Sequence, residues 1–559
     1  MKSWKTSSKG FVLIISVLGF ISCDSEILNE ELENTEEAQA YFDYDLDGSQ
    51  SCLVNEEEPI SAIDYEGSIT LGRKMNIPQT MENMQKAWEE LQGRDLYPGM
   101  ENPVKVNKLY IRFLPKNKNQ ISELARYDEN LDLFGFPLHY EFEPTTDEND
   151  SYRDRSLPLE TPSPLYTVVD DDYAFPSSIP YEIIEELYMP DEDRTIPPDL
   201  ADDLELVAEN IAAGKSSNEL SKTSKKWRPE GRIRVVDHAQ GEPTDGMAVP
   251  VKGVQVMARR GLKWSWGITD EHGVFRVKKD FKKKVNYSVR WSNHEWYIIK
   301  GSSVTRAWYF GPKKEGEWDS LINGSIQSFY AQIHRAAYHS YYGENYGITR
   351  PMHNKPGNDR MWIRAHKKAS ILGYAAHFYE NAPHAISVFA KYKLDGEKKW
   401  IYGEDFDKNH NRLYSTVIHE FGHASQRNLF YMDKQLKWKN LERVVGESWA
   451  NGIEIELIKE VYPKEHGFLL DWTDCVFPNR PNYTTYIVKD LLHPGGDDNG
   501  ANESNPVFES HHADFTLKEI ENVMGHTWAE WRENLKQGLS TVEADNVQNR
   551  FDYWETACD

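Results

Sequence analysis

The sequence predicts a multidomain α+β protein with an N-terminal α/β module, a small β-sandwich and a C-terminal, mainly helical domain. Three observations carry that expectation. A chain of 559 residues is too long for one hydrophobic core. Between about residues 227 and 300, short alternating runs recur with turn residues between them, at the spacing of an all-β unit. From about Trp308 the apolar residues fall mainly at helical spacing, and aromatics stay frequent to the end. The formal charge of −26 argues against a nucleic-acid partner, because phosphate binding needs clustered Lys and Arg.

Residues 1–22 read as a secretory signal. Lys2, Lys5 and Lys9 precede FVLIISVLGFI, an apolar run too short to span a bilayer. The run ends in Ser22-Cys23, which resembles the lipobox of bacterial lipoproteins. That resemblance implies removal of the signal and lipidation of Cys23, which would hold the protein at a membrane surface. A plain cleaved signal peptide is the alternative. Residues 23–59 are expected to be a solvated tether, since Asp24 to Glu58 holds thirteen acids and no Lys or Arg. Acids directly after the cysteine resemble lipoproteins of the Bacteroidetes, which implies the bacterial envelope, at the outer membrane or cell surface. In that oxidising setting Cys475 and Cys558 are the expected disulfide, and Cys52 is a free tether thiol. No Cys-x-x-Cys occurs, so a thiolate zinc site is not expected.

Residues 60–186 read as the α/β module, a candidate prodomain or substrate-docking unit. Lys108 to Leu114 alternates like a strand, Asn119 to Arg126 is helical in pattern, and Pro137 to Phe142 alternates again. Residues 187–226, including EDRTIPPDLADDLE, are expected to be a polar linker. Residues 227–305 hold the strand candidates Arg232–Val236, Val254–Ala258, Val274–Val277 and Tyr287–Trp291. Gly253, Val254 and Val256, then Thr269, Asp270, Gly273 and Phe275, resemble the carboxypeptidase regulatory-like module. That likeness implies a small β-sandwich serving as spacer or binding unit. Asp270 and Gly273 suit a tight turn, and Phe275 re-enters the core.

Residues 306–559 carry the chemistry. Ile386 to Tyr392 is the best strand candidate, Leu441 to Val461 is helical, and Thr516 with Glu519 forms a capping box for a helix through about Leu535. Within STVIHEFGHASQ, His419 and His423 stand at i, i+4, so both imidazoles share a helix face and can hold one Zn²⁺. Glu420 beside the first histidine is placed to act as general base. Glu447 lies far enough downstream for a second, antiparallel helix to bring its carboxylate to the pair as third ligand. Asn451, i+4 from Glu447, shares that face and can orient a ligand imidazole. Two acidic loops fit a cation less well: the one opening at Asp43 has Val54 where calcium needs a bidentate Glu, and the one at Asp405 has His410 at the glycine position.

His419-Glu420-Phe-Gly-His423 with Glu447 resembles the gluzincin metallopeptidases; a metzincin's third histidine is absent from Arg427 to Met432. The resemblance implies a zincin-like catalytic domain, one Zn²⁺ cofactor, and hydrolysis of peptide bonds in which Glu420 moves the proton from water to the leaving amine. It implies endopeptidase action on an extended substrate along a strand edge, for which Ile386 to Tyr392 is the expected strand. Tyr483, Tyr486, His511 and His512 are candidates for stabilising the oxyanion. Gln426 after the second histidine is also similar to enhancin-like peptidases of mucins, so protein or glycoprotein is the expected substrate. The rival from another class is a surface lipoprotein that binds protein or glycan around a structural or vestigial zinc site.

Overall fold

The computed structural model describes residues 69–557, apart from 129–130, 145–148, 159–160, 216–225, 241–245, 302–305, 354–359, 370–375, 380–384, 395–396, 401–408, 433–439, 464–484 and 493–514. The expected signal, Cys23, the tether with Cys52, the Asp43 loop, the acids of the Asp405 loop, and Cys475 and Cys558 lie outside the described residues, while His410 of the second loop opens a helix. What is described is a mixed α+β fold with several small sheets.

The N-terminal part runs β1 (Ile69–Lys74), α1 (Met81–Gly93), β2 (Lys108–Phe113), α2 (Lys118–Tyr127), β3 (Tyr140–Pro144), β4 (Leu165–Asp170) and β5 (Tyr181–Leu187). β2 is central between β4 and β5, all antiparallel, while β1 pairs with β3. Its helices start at side-chain caps: Thr80 accepts from Asn83 N, and Asn117 from Gln120 N. The expected linker is only partly a linker. Pro198–Ala212 forms α3, with Pro198 in the first turn, and buries Leu200, Leu204, Val207 and Ala208 against Met84, Trp88 and Leu91 of α1. Its acidic residues hide an amphipathic stripe at i, i+4, i+7, i+8.

Next come β6 (Glu230–Asp237), β7 (Met247–Pro250), β8 (Gln255–Arg260), β9 (Lys263–Ile268), β10 (Val274–Arg276), β11 (Val285–Arg290), β12 (Trp296–Lys300), β13 (Trp308–Lys314) and β14 (Trp318–Ile322). One sheet is β10-β6-β14 with β7 on β6, and the other is β13-β11-β8-β9. Tyr287 on β11 meets Phe275 on β10 and Trp318 on β14, so the two sheets face one another across a shared core. The turn before β10 forms as expected. Asp270 Oδ1 accepts from the backbone of His272 and Val274, and Gly273 has φ +74°, where an added Cβ would stand 2.5 Å from Ile233 O.

The expected boundary near residue 305 does not divide the sheets. β13 and β14, beyond it, pair with β11 and β6, whereas β12, before it, leaves the sandwich and pairs in parallel with β15 (Met361–Ala369). That third sheet continues through β17 (Ala385–Leu394), with β16 (Ala376–Tyr379) and β18 (Glu397–Trp400) both antiparallel to β17. The stretch from Trp308 to Trp400 is therefore mainly strand, and only α4 (Ile326–Tyr342) interrupts it among the described residues. Buried strands read as apolar runs without alternation, which weakens their signal.

Helices α5 (His410–Met432), α6 (Arg443–Val461), α7 (Ile487–Leu492), α8 (Leu517–Asn522), α9 (Trp528–Lys536) and α10 (Thr541–Ala557) complete the chain. The single helix expected from Thr516 to Leu535 is two. Thr516/Glu519 caps α8 as expected, and a second capping box, Thr527/Glu530, starts α9. One apolar core runs from Val235 and Val256 of the sandwich through Ile298 and Ile363 of the third sheet to Ile418 and Trp449 of the helices. The N-terminal part docks on the outer face of β13-β11-β8-β9. Phe134, Phe136 and Tyr110 pack with Met257 and Trp308, and Asp132 accepts from Trp264, Trp266 and Arg290. Among the described residues no helix is long and apolar enough to cross a membrane.

Candidate metal centre

α5 follows from its sequence. Leu413, Val417, Ile418 and Phe421 are almost wholly buried and bind one side of the helix to the core. The adjoining face carries His419, Glu420 and His423. Gly422 decides how close the next helix comes: a Cβ there would stand 3.0 Å from Ala450 Cα, so α5 and α6 cross almost backbone to backbone. That crossing sets Glu447, one turn before Ala450, against the two imidazoles.

The ligand atoms converge. Glu447 Oε2 lies 3.3 Å from His419 Nε2 and 3.6 Å from His423 Nε2, and one donor atom from each residue falls within 4.8 Å of the others. Four ligands around zinc at about 2.0–2.1 Å stand about 3.3–3.4 Å apart, close to the separation of Glu447 from each imidazole. The imidazole planes stand at 85° with ring centroids 4.9 Å apart. The residues present thus fit the expected metal.

Electrostatics agree. Burial opposes charge on His419, but hydrogen bonds to Glu447 and Glu454 outweigh it and hold its pKa well above the ordinary value. Burial likewise raises Glu447, yet His423 and His419 pull its carboxyl well below the carboxylate range. A cation between them would take over that role from the proton. Glu420, 5 % exposed, is pushed up to about 7, chiefly by burial.

The chain matches no family model, no curated protein and no solved structure in the three comparisons.

Sequence reasoning missed one partner, and it found a strand, Ile386 to Tyr392, but gave it the wrong place in its sheet. His419 Nδ1 hydrogen-bonds Glu454 Oε2 at 3.0 Å, so this carboxylate holds the position expected for Asn451. Asn451 sits half-buried one turn earlier on α6. The available signal was spacing: Glu454 lies seven residues from Glu447, on the same helix face, whereas neighbouring Glu456 does not. The expected substrate strand, Ile386 to Tyr392, is interior. β17 pairs with β15 on one side and with β16 and β18 on the other, which leaves no edge for another chain. Among the described residues β16 pairs only with β17, antiparallel, and it packs against α5.

Tyr486 precedes α7, fixed by Ser448 of α6, whose hydroxyl meets Thr485 Oγ1 at 2.8 Å. Its ring packs on Trp554, and burial followed by the Glu454 charge pushes its phenol upward. Its charged neighbour is thus the carboxylate behind His419. Tyr483, His511 and His512 lie outside the described residues.

Proposed function

We propose that this chain is a zinc metallopeptidase of the gluzincin kind, cutting peptide bonds within extracellular protein or glycoprotein substrates. The supporting observation is the convergence of His419 Nε2, His423 Nε2 and Glu447 Oε2 at zinc-ligand spacing, with Glu420 on the same helix turn. On this reading β12, β15–β18 and α4–α10 form a zincin-like catalytic domain. The β-sandwich is regulatory-like, and the N-terminal part is a docking module. Cys23 carries the lipid that anchors the protein in the bacterial envelope.

His419, His423 and Glu447 would hold the ion. When bound, Zn²⁺ supplies Lewis acidity toward a carbonyl and makes water a nucleophile at neutral pH. Glu420 accepts the proton of the attacking water and delivers it to the leaving amine. Its burial keeps it protonatable for the second step. The outer edge of β16 offers main-chain hydrogen bonds to an extended substrate, which suits cleavage within a chain.

The test pairs zinc content with proteomic cleavage profiling on the full chain, wild type beside Glu420→Gln. Both proteins are expected to hold zinc, and loss of the general base should lower kcat/KM by about 10²–10⁴-fold. Zinc in both proteins with cleavage by neither would favour a binding protein with a structural ion. Absence of zinc in both would remove the site.

A further inference from the structure

We infer that Glu454, tethered by Ser415, is the positioning residue that aims His419 at the metal. The inference rests on the zinc reading above. Ser415 and His419 stand one turn apart on α5, so both can reach a single carboxylate on α6. Both do. Glu454 Oε2 pairs with His419 Nδ1 at 3.0 Å, and Glu454 Oε1 accepts from the Ser415 hydroxyl. With each oxygen engaged, the carboxylate cannot swing about its own axis without losing a bond.

The chemistry follows from which ring nitrogen carries the proton. A carboxylate accepts only, so Nδ1 is an N–H, and when a cation replaces the proton between Nε2 and Glu447, Nε2 turns its lone pair to the ligand position. Ser415 is wholly buried, so its donor has a single use: it holds Glu454 rather than meeting water. A negative charge on the far side of the ring also makes Nε2 a better donor to a cation. Glu454 therefore supplies both direction and charge. The clamp crosses between helices at the level that Gly422 brings together, and so it depends on the close α5–α6 crossing.

Zinc affinity, measured on the full chain by competition with a chromogenic chelator, tests this, together with the visible spectrum of the Co²⁺-substituted protein. Glu454→Ala should weaken zinc by roughly 10–100-fold. Glu454→Gln should recover part of that loss, because an amide oxygen still accepts from Nδ1 but brings no charge. Ser415→Ala should weaken zinc by a smaller factor and shift the Co²⁺ bands, since the carboxylate is then free to turn. Asn451→Ala should stay closest to wild type. Thermal midpoints of the metal-free proteins separate ligand positioning from misfolding, and Ser415→Ala keeps the test open if Glu454→Ala does not fold. If folded Glu454→Ala binds zinc like wild type, or if Asn451→Ala loses more affinity than Glu454→Ala, the assignment is overturned and the metal centre stands. If wild type takes up no zinc, the metal reading itself has failed and this inference with it.

Discussion

His334 shows what a buried histidine does when it is not a ligand. It lies on α4 with no exposed surface, receives the indole N–H of Trp296 at Nδ1, and meets the carbonyl of Lys252 at Nε2. Only the neutral ring satisfies both partners, because a proton on Nδ1 would face another N–H. Burial pushes its pKa down to about 4. The unfolded chain takes up that proton first, near pH 6.5, so the stability that His334 contributes is intact above 6.5 and is lost as pH falls toward 4. The full loss is about 3 kcal/mol. His339 is also pushed down to about 4, chiefly by burial, and acts in the same direction. Urea midpoints measured from pH 7 to pH 4 should fall in wild type. They should fall less steeply in His334→Gln, whose amide accepts and donates without titrating.

Gly422 sets the outcome where α5 meets α6. In an exposed helix, Gly→Ala stabilises by about 1 kcal/mol. Here the added methyl would stand 3.0 Å from Ala450 Cα, so the helices must part. Gly422→Ala is expected to cost about 1–3 kcal/mol and to weaken zinc as Glu447 draws back. Thermal midpoint and chelator competition measured together check both. An unchanged affinity would mean the crossing tolerates the shift. The His419, Glu420 and His423 set was legible in the sequence because its geometry is local, one turn of one helix. Glu447 was legible because helix, loop and helix is the shortest way to return a carboxylate. Glu454 escaped because its partner Ser415 lies on another helix, and hydrogen bonds between helices leave no period in a sequence. α3 escaped because acids and two prolines covered its apolar stripe. β16 escaped because an outer strand is defined by what pairs with its neighbour, which only the folded sheet decides.

Asp237 joins the parts of the molecule. Wholly buried at the end of β6, it accepts from Arg335 of α4 at 2.6 Å and from Tyr462 beyond α6 at 2.7 Å, and lies 3.6 Å from His410 at the start of α5. Burial works against its charge, yet these partners hold its carboxyl well below the usual range. Removing one member of such a group leaves the rest charged and buried, so Asp237→Ala is expected to cost about 3–5 kcal/mol. Calorimetry should show a single, lowered transition. If the helical part melted unchanged while the sandwich melted early, the coupling would be absent. The sandwich is thus structural support for the proposed catalytic helices, which its resemblance to a spacer did not suggest.

The excursion of β12 has a consequence for how the protein is made. Emerging from the ribosome, the chain forms β11, then β12, held at first only by local bonds to Trp291 and Ala307, then β13 and β14, which close the sandwich. The parallel ladder from Trp296–Lys300 to Met361–Ala365 must wait until the second strand has been synthesised, although Ile298 can already bond Trp291 and Ala307. The sandwich can therefore fold early, while the third sheet is nucleated on an already folded neighbour. A gene fusion that lifted the sandwich out whole would carry away the first strand of the sheet it left behind.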